Sequence, residues 1–472
     1  MQARIKELLS NTFLFTLANL GSKILVFLMV PLYTSILTTE EYGISDLVHT
    51  TSTLLYPILT CMIAEAVLRF AFIHEFDIHQ VFSEGVRIVV VGILVSIILC
   101  IIFFKIPFFS SLGIYTSFIP ILFCVISGAN FFHRFARGIN QVKASAYAGL
   151  LNTIVTISTN ILFLLVFKWG VFGFLLAFTL GDLSVIIYLS YKCRVGVYWT
   201  KDRNVDLKKQ MLKYSMPLIP NSLSWWALSS INRYIMLAFI GISSVGIYSA
   251  TLRIPTILTV LSDIFAQAWL LSALKDYGNE ESKRFIRSMY KRYFSLLTML
   301  TAIIIAFSHP LANILLSGEF SSYWYIIPFL FISVFWGALV GFLGSIFSAE
   351  RKNAMQVIST IIGAIISILF TLLFIKEYGI KAVAISNLVG FLIIWLIRRI
   401  AVKKYIDIGL SIKKSLFQGL LLFVEAIFVG TEQYVFGCLC ILILLFLNYK
   451  SINSILLFAY KESKSFLGNR KK

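Results

Sequence analysis

Long apolar runs, interrupted by short polar or Gly/Pro turns, make up nearly all of this 472-residue chain. The first two flank the turn Thr38-Thr39-Glu40-Glu41-Tyr42-Gly43 and together occupy 12–70. At a rise of 1.5 Å per residue, about 20 apolar residues cross the ~30 Å core of a bilayer, and each run is long enough. Polar residues recur inside both at helical spacing. Thr12, Thr16, Asn19 and Lys23 are separated by 4, 3 and 4; Asp46, His49, Thr53, Tyr56 and Thr60 by 3, 4, 3 and 4. Each helix therefore carries one polar face. Lipid does not tolerate such a face, so it must look onto protein or a water-filled cavity, and an ionisable residue on it is a candidate for function.

Further apolar segments lie near 86–107, 118–135, 144–167 and 171–192, which makes six helices. The longest polar interval, 194–213, reads as a cytoplasmic linker between two halves. The second half opens with another helix pair, 214–240 and 245–271, and continues through 293–316, 324–347, 354–375 and 380–400. Two shorter segments, 415–430 and 434–448, need help from flanking residues to span. The expectation is an all-α polytopic membrane protein of about fourteen spans. It divides as 1–200 (first lobe), 201–410 (second lobe) and 411–472 (two extra helices and a basic tail).

The halves carry traces of a duplication. LTTEEYGISDL at 37–47 aligns with IGISSVGIYSA at 240–250, an offset of 203, and Gly170-Val171 aligns with Gly379-Ile380, an offset of 209. Duplicated bundles with a substrate site between them recur among transporters. With an even number of helices per half, the repeats are parallel and related by an axis along the membrane normal.

Composition agrees: 59% of residues are hydrophobic and 13% charged, against about 25% charged in a soluble domain. The formal net charge of +19 is spread over alternate loops. Arg4, Lys6, Arg134, Arg137, Lys143, Arg351, Lys352 and the runs in 192–213, 275–292, 398–414 and 450–472 fall on one side of the membrane. Only Lys105, Lys168, Lys376 and Lys381 fall on the other. The positive-inside rule then puts both termini in the cytoplasm. No single basic face exists for nucleic acid to bind. Cys61, Cys100, Cys124, Cys193, Cys438 and Cys440 lack metal-ligand spacing and read as small apolar fillers. The first apolar run reads as a retained signal anchor rather than a cleaved signal peptide.

Polar striping returns in the second half. Ser222, Ser229 and Arg233 are spaced 7 and 4; Ser249, Arg253, Thr256, Asp263 and Gln267 are spaced 4, 3, 7 and 4. The simplest packing turns the four striped helices toward one another around a solvated cleft. Counting rise per residue puts Lys23 near mid-membrane and Arg233 and Arg253 roughly 10 Å below the outer surface. A cationic cleft suits an anionic head group, because Arg offers a bidentate fork to phosphate and Lys a movable point charge. Lys23, Arg233 and Arg253 are thus candidates for a phosphate or pyrophosphate. Asn19, His49, Thr53, Ser229 and Gln267 are candidates for the sugar-like remainder. Asp46, Glu65, Arg69 and Asp263 are candidates for coupling or gating. The competing reading pairs the cations internally, Arg253 with Asp263 or Asp46 and Lys23 with Glu65, and lets Arg233 snorkel to the surface. Asp182 and Glu425, in peripheral helices, are expected to pair neighbouring helices. There is no P-loop, HExxH, CxxC pair or nucleophile elbow, and the outer loops are short, so no enzyme activity is expected.

Three segments resemble a known family: SILTTEEYGISDLVHTTSTLLYPILT at 35–60, AVLRF at 66–70, and INRYIMLAFIGISSVGIYSATLRIP at 231–255. They are similar to the bacterial polysaccharide-export flippases of the Wzx type, in the multidrug/oligosaccharidyl-lipid/polysaccharide (MOP) superfamily. The resemblance implies two six-helix lobes in a V around a cationic cavity, with two extra helices. It implies flipping of undecaprenyl-diphosphate-linked oligosaccharide repeat units across the bacterial cytoplasmic (inner) membrane by alternating access, for O-antigen or capsule synthesis. The partners it implies are the lipid-linked oligosaccharide, membrane lipid, and a polysaccharide polymerase with its chain-length machinery, the flippase itself acting as a monomer. No cofactor is implied beyond a coupling ion, H+ or Na+. Where family members often have Asp-Arg in the seventh helix, this chain has Asn232-Arg233, which puts a coupling proton there in question. Alternatives are a cation-coupled multidrug exporter of the same fold, which would want an acidic cavity, and a membrane glycosyltransferase or polymerase, which would want carboxylates on an outer loop.

Overall fold

The computed structural model describes residues 21, 25, 27–73, 75–262, 280–350 and 352–468. Among the described residues the secondary structure is helical, without strands. The helices are α1 (Val30–Ile36), α2 (Thr39–Leu59), α3 (Ile63–Ile73), α4 (Ile78–Phe103), α5 (Phe118–Gly138), α6 (Val142–Ile161), α7 (Gly170–Lys192), α8 (Val205–Ser215), α9 (Ile219–Ile240) and α10 (Ile242–Thr251). They continue as α11 (Glu280–Ala306), α12 (Ser308–Leu315), α13 (Ile327–Ala349), α14 (Asn353–Tyr378), α15 (Ile380–Val402), α16 (Ile412–Gly430) and α17 (Tyr434–Gly468). Among the described residues nine helices are long and apolar enough to cross a membrane, or eleven if two bent pairs each count as one. The chain is a multi-pass membrane protein. The opening helix expected from the sequence lies largely outside the described residues.

Contacts gather into two compact units. One holds residues up to Ala250 together with Leu315–Phe320; the other holds Thr251–Ile314 and Ser321–Lys472.

In the first unit, α2 starts on a capping box. The Thr38 hydroxyl accepts from the Glu41 N–H at 3.2 Å, and the Glu41 carboxylate accepts from the Thr38 N–H at 2.9 Å. This satisfies two of the donors that a helix start leaves open. The helix is not the single span expected. Pro57 removes the N–H that would bond Thr53 O and crowds that carbonyl, and Cys61 and Met62 then adopt left-handed φ of 50° and 53°. The chain leaves α2 bent by 52° into α3. Two successive left-handed residues that are not glycine store strain, which surrounding packing must hold in place.

The interval 194–213 is docked rather than loose. His79, Gln80, Ser83, Glu84 and Arg87 line one face of α4 at helical spacing, and each bonds the following linker. The Arg87 guanidinium donates to the carbonyls of Thr200, Lys201 and Asp202 at 2.9–3.0 Å and to Glu84 at 2.5 Å. Beyond it, α8 is amphipathic and drives Leu207 and Met211 into a core with Ile63, Val67, Phe82 and Phe135. Polar composition concealed this, because the polar groups are used against α4 rather than against water.

In the second unit, α14 and α13 both pack on α15, while α16 packs on α11, α13 and α17. Arg398 of α15 is 1% exposed and is held by neutral oxygens: Ser359 Oγ, Val340 O, Gln356 O and Thr360 Oγ1, at 2.9–3.1 Å. The final helix runs well past the expected end, with Tyr434–Ser451 as its apolar part.

Candidate functional site

The site grows from a close helix crossing in the first unit. A Cβ on Gly246 would lie 1.8 Å from Thr39 O, and one on Gly43 would lie 2.3 Å from Ile242 O, so α2 and α10 meet at backbone distance. Only glycine permits that approach. Thr39 and Ile242, Gly43 and Gly246, and Asp46 and Ser249 are three pairs of positions 203 residues apart. The contacts are reciprocal, 39 with 246 and 43 with 242, as at an interface between two equivalent surfaces about a two-fold axis. The weak sequence repeat thus corresponds to a local symmetry, and its equivalent positions touch.

One turn further in, the symmetry is broken by chemistry. The Ser249 hydroxyl donates to Asp46 Oδ2 at 2.7 Å. Arg233 of α9 donates from Nε to the same oxygen at 2.5 Å and to Ser249 Oγ at 3.3 Å. Its Nη1 donates to the Ser229 carbonyl at 2.7 Å, one turn back along α9. The Asp46 and Arg233 side chains are 8% and 13% exposed. In surroundings this dry the charged hydrogen bond is stronger than it would be in water. Nη2 of Arg233 makes no hydrogen bond among the described residues. Helix α9 is held in register by Tyr234 Oη and Thr51 Oγ1 at 2.7 Å and by the Trp226 indole N–H donating to Thr50 O at 3.2 Å. The carboxylate beside Arg233 therefore comes from α2, where Asn232 leaves it missing from α9.

The other expected site residues fall as follows. Thr53 turns its hydroxyl onto its own helix at Thr50 O, and Ser229 does likewise at Trp225 O. His49 packs its ring on Phe178 of α7, centroids 5.7 Å apart. Glu65 of α3 pairs with Arg134 of α5 at 2.7 Å, and Arg69 sits over the Tyr214 ring at 4.4 Å. Arg253 belongs to the second unit. Asn19, Lys23, Asp263 and Gln267 lie outside the described residues. Tyr234 and Trp226 were not singled out by the sequence reading: Tyr234 lies off the polar stripe of α9, and Trp226 lies on it, between Ser222 and Ser229, but reads as an apolar ring. Ser249 was visible only as part of a stripe, although its place 203 residues after Asp46 marked it. Asp182 accepts from Asn152 Nδ2 at 2.8 Å and so links α7 to α6. Glu425 does not pair as expected: neither carboxylate oxygen has a hydrogen-bond partner among the described residues. Among the described residues no group of three or more His, Cys, Asp and Glu could hold a metal.

Asp46 balances Arg233, leaving a fixed guanidinium whose Nη2 is unbonded among the described residues. Such a group can direct a short, oriented hydrogen bond to an anionic oxygen with little reorganisation.

Solved structures share the architecture. The lipid II flippase MurJ, in an inward closed conformation, matches with a TM-score of 0.69 at 15% identity, covering 93% of this chain and 99% of its own. An inward-facing MATE multidrug-resistance transporter of the MOP superfamily matches at 0.66 and 16% identity, covering 83% and 96%. A MOP superfamily transporter from Pyrococcus furiosus, noted for the reverse polarity of its binding pocket, matches at 0.59 and 15%, covering 85% and 95%. The fold is thus that of the MOP transporters. A search of curated protein sequences finds no match. The family model for "Polysaccharide biosynthesis protein" matches residues 8–271, more than half of the chain, and the chain belongs to that family.

Proposed function

We propose that the protein flips an undecaprenyl-diphosphate-linked oligosaccharide repeat unit from the inner to the outer leaflet of a bacterial cytoplasmic membrane, by alternating access, during O-antigen or capsule synthesis. Membership of a polysaccharide biosynthesis family, on a fold shared with a lipid II flippase, supports a lipid-linked sugar as cargo. The observation that carries the reading to a site is Arg233: nearly buried in an apolar helix, locked by Asp46, Ser249 and Ser229 O, with Nη2 free to meet a pyrophosphate oxygen. Lys23 and Arg253 are the further cations to test. Asp46 would keep the guanidinium oriented while the head group passes, and the lipid tail would stay in the bilayer.

Deleting the gene should trap lipid-linked repeat units on the inner leaflet, and wild-type protein should release them. Arg233→Ala, expressed at wild-type level in the membrane, should cut release by roughly tenfold or more, the effect of losing one charge-assisted hydrogen bond of about 1.5–3 kcal/mol. If repeat units never accumulate, the cargo is wrong. If they accumulate but Arg233→Ala restores flux fully, the site is wrong. Loss of drug resistance without any accumulation of repeat units would instead make this a cation-coupled exporter of the same fold, a reading that the Asp46 carboxylate favours. Reporter fusions at both ends test the expected cytoplasmic termini.

A further inference from the structure

Glu425 lies in the packed face of α16 and is 0% exposed, with neither carboxylate oxygen hydrogen-bonded among the described residues. Two turns earlier Gln418 is equally buried. Its Oε1 accepts from Asn448 Nδ2 of α17 at 3.0 Å, while its Nε2 is also without a partner among the described residues. The Gln418–Asn448 bond at one end, and Gly437 at the other, where an added Cβ would lie 3.2 Å from the Val429 side chain, run α16 and α17 antiparallel and set Glu425 opposite the stretch around Cys440. On the α13 side, Gly419 receives the Trp336 ring and Phe423 meets Phe329 at 5.5 Å.

Nothing in these neighbours compensates a charge. Helix α13 has no titratable side chain along its length. On α11 the titratable groups (Glu280, Glu281, Lys283, Arg284, Arg287, Tyr290, Lys291, Arg292 and Tyr293) stop at Tyr293, and its later turns carry none. Helix α17 offers Tyr434 at its start, Cys438, exposed, and Cys440, buried, with Tyr449, Lys450, Tyr460, Lys461, Glu462 and Lys464 further along. On α16 itself Lys413 and Lys414 are three turns away, and Lys414 Nζ reaches Leu447 O at 3.5 Å. Among the described residues, a carboxylate anion here would have no cation or N–H to meet it, and at 0% exposure it is shut off from bulk water. That costs far more than one hydrogen bond returns, and a group so placed binds a proton instead. A buried acid on an apolar helix, unsatisfied among the described residues, asks for a use.

We propose that Glu425 is a proton-binding site that ties protonation to the packing of α16. With the proton bound, α16 seats against α17, α11 and α13 as observed. Release of the proton to water leaves an anion that this packing does not hold, so α16 shifts to wet the carboxylate and parts from α17 at Cys440.

The test uses the full-length protein in lipid nanodiscs and reads no transport, so it stands apart from the flippase reading. Infrared difference spectra should show a protonated carboxyl band at neutral pH that is absent from Glu425→Gln. Modification by a small neutral maleimide, read residue by residue by mass spectrometry, compares Cys440 with exposed Cys438, whose own ionisation serves as the internal reference. In the wild type the Cys440-to-Cys438 ratio should rise by about tenfold per pH unit below the titration of Glu425, following the population of the anion. In Glu425→Gln, and in Glu425→Leu as a second variant that keeps the seam apolar, the ratio should be flat. A wild-type spectrum without the band overturns the proton site. A band together with a flat wild-type ratio, or with a ratio that rises equally in both variants, overturns the coupling to packing.

Discussion

Asp46 and Glu425 are both carboxylates on apolar helices, 8% and 0% exposed, but their surroundings are opposites. Asp46 stands where two repeated segments cross and receives Arg233 Nε and the Ser249 hydroxyl on one oxygen. Glu425 stands where α16 packs among apolar helices and receives no hydrogen bond among the described residues. Burial alone therefore does not say what an intramembrane acid is for. Asp46 is a fixed anion that orients a cation; Glu425 is a group whose charge its site rejects. The difference lies in which donors the neighbouring helices bring.

The contrast can be broken most forcefully at the paired site. Asp46→Ala leaves Arg233 nearly buried without its counter-ion, a loss of about 3–5 kcal/mol, and should lower the thermal unfolding midpoint in detergent sharply. Adding Arg233→Leu should restore much of that loss; if the double variant is no better than the single, the pair is not what holds α9 to α2. Next in size are Gly246→Ala and Gly43→Ala, whose new methyls would meet Thr39 O and Ile242 O. Overpacking of this kind costs about 1–3 kcal/mol, and the two variants should lose similar amounts because the crossing is reciprocal. Unequal losses would argue against the local symmetry.

At the unpaired site the sign reverses. Glu425→Leu removes an unsatisfied buried polar group whose desolvation costs about 1–3 kcal/mol, so it should leave stability unchanged or raise it. A fall as deep as that of Asp46→Ala would mean that Glu425 has a partner after all. The smallest effect concerns Asp407, in the loop between α15 and α16. The Gly409 N–H, donating at 2.9 Å, holds its carboxyl below the ordinary range, and Arg287, Arg399 and Lys403 add to this. Because the folded-state value is lowered, its stabilisation is present above the ordinary carboxylate range and is lost as pH falls through the lowered value. With 60% of the side chain exposed, Asp407→Asn should cost under about 1 kcal/mol near neutrality and nothing in strong acid.

Periodicity and length made most of the helices legible, because they are local properties. Breaks in the helices were harder. Pro57 was in plain view, but whether a proline kinks or ends a helix depends on what the following residues meet, and Cys61 and Met62 carry no turn signature. The docked interval 194–213 was hidden for a related reason: Ser83, Glu84 and Arg87 look like a solvated helix start until the carbonyls they bond are in place. At the candidate site, Arg233 and Asp46 were both singled out from their stripes, yet their meeting was not. The internal-pairing reading set Arg253 against Asp263 or Asp46, and Arg233 was allotted to substrate or surface.

The amino-acid sequence by itself determined that this is a helical multi-pass membrane protein with a duplicated helix pair and ionisable residues on polar helix faces, because burying a peptide chain in lipid allows little else. Only the tertiary structure decided which of those residues are partners. Asp46 and Arg233 are 187 positions apart and meet because Tyr234 and Trp226 hold α9 on α2, while Gly43 and Gly246 let α10 approach at backbone distance and bring Ser249 to the same carboxylate. Glu425 has no hydrogen-bond partner among the described residues because none of the described helices packed around it brings a donor to its level, a fact of helix placement that no spacing along one helix contains.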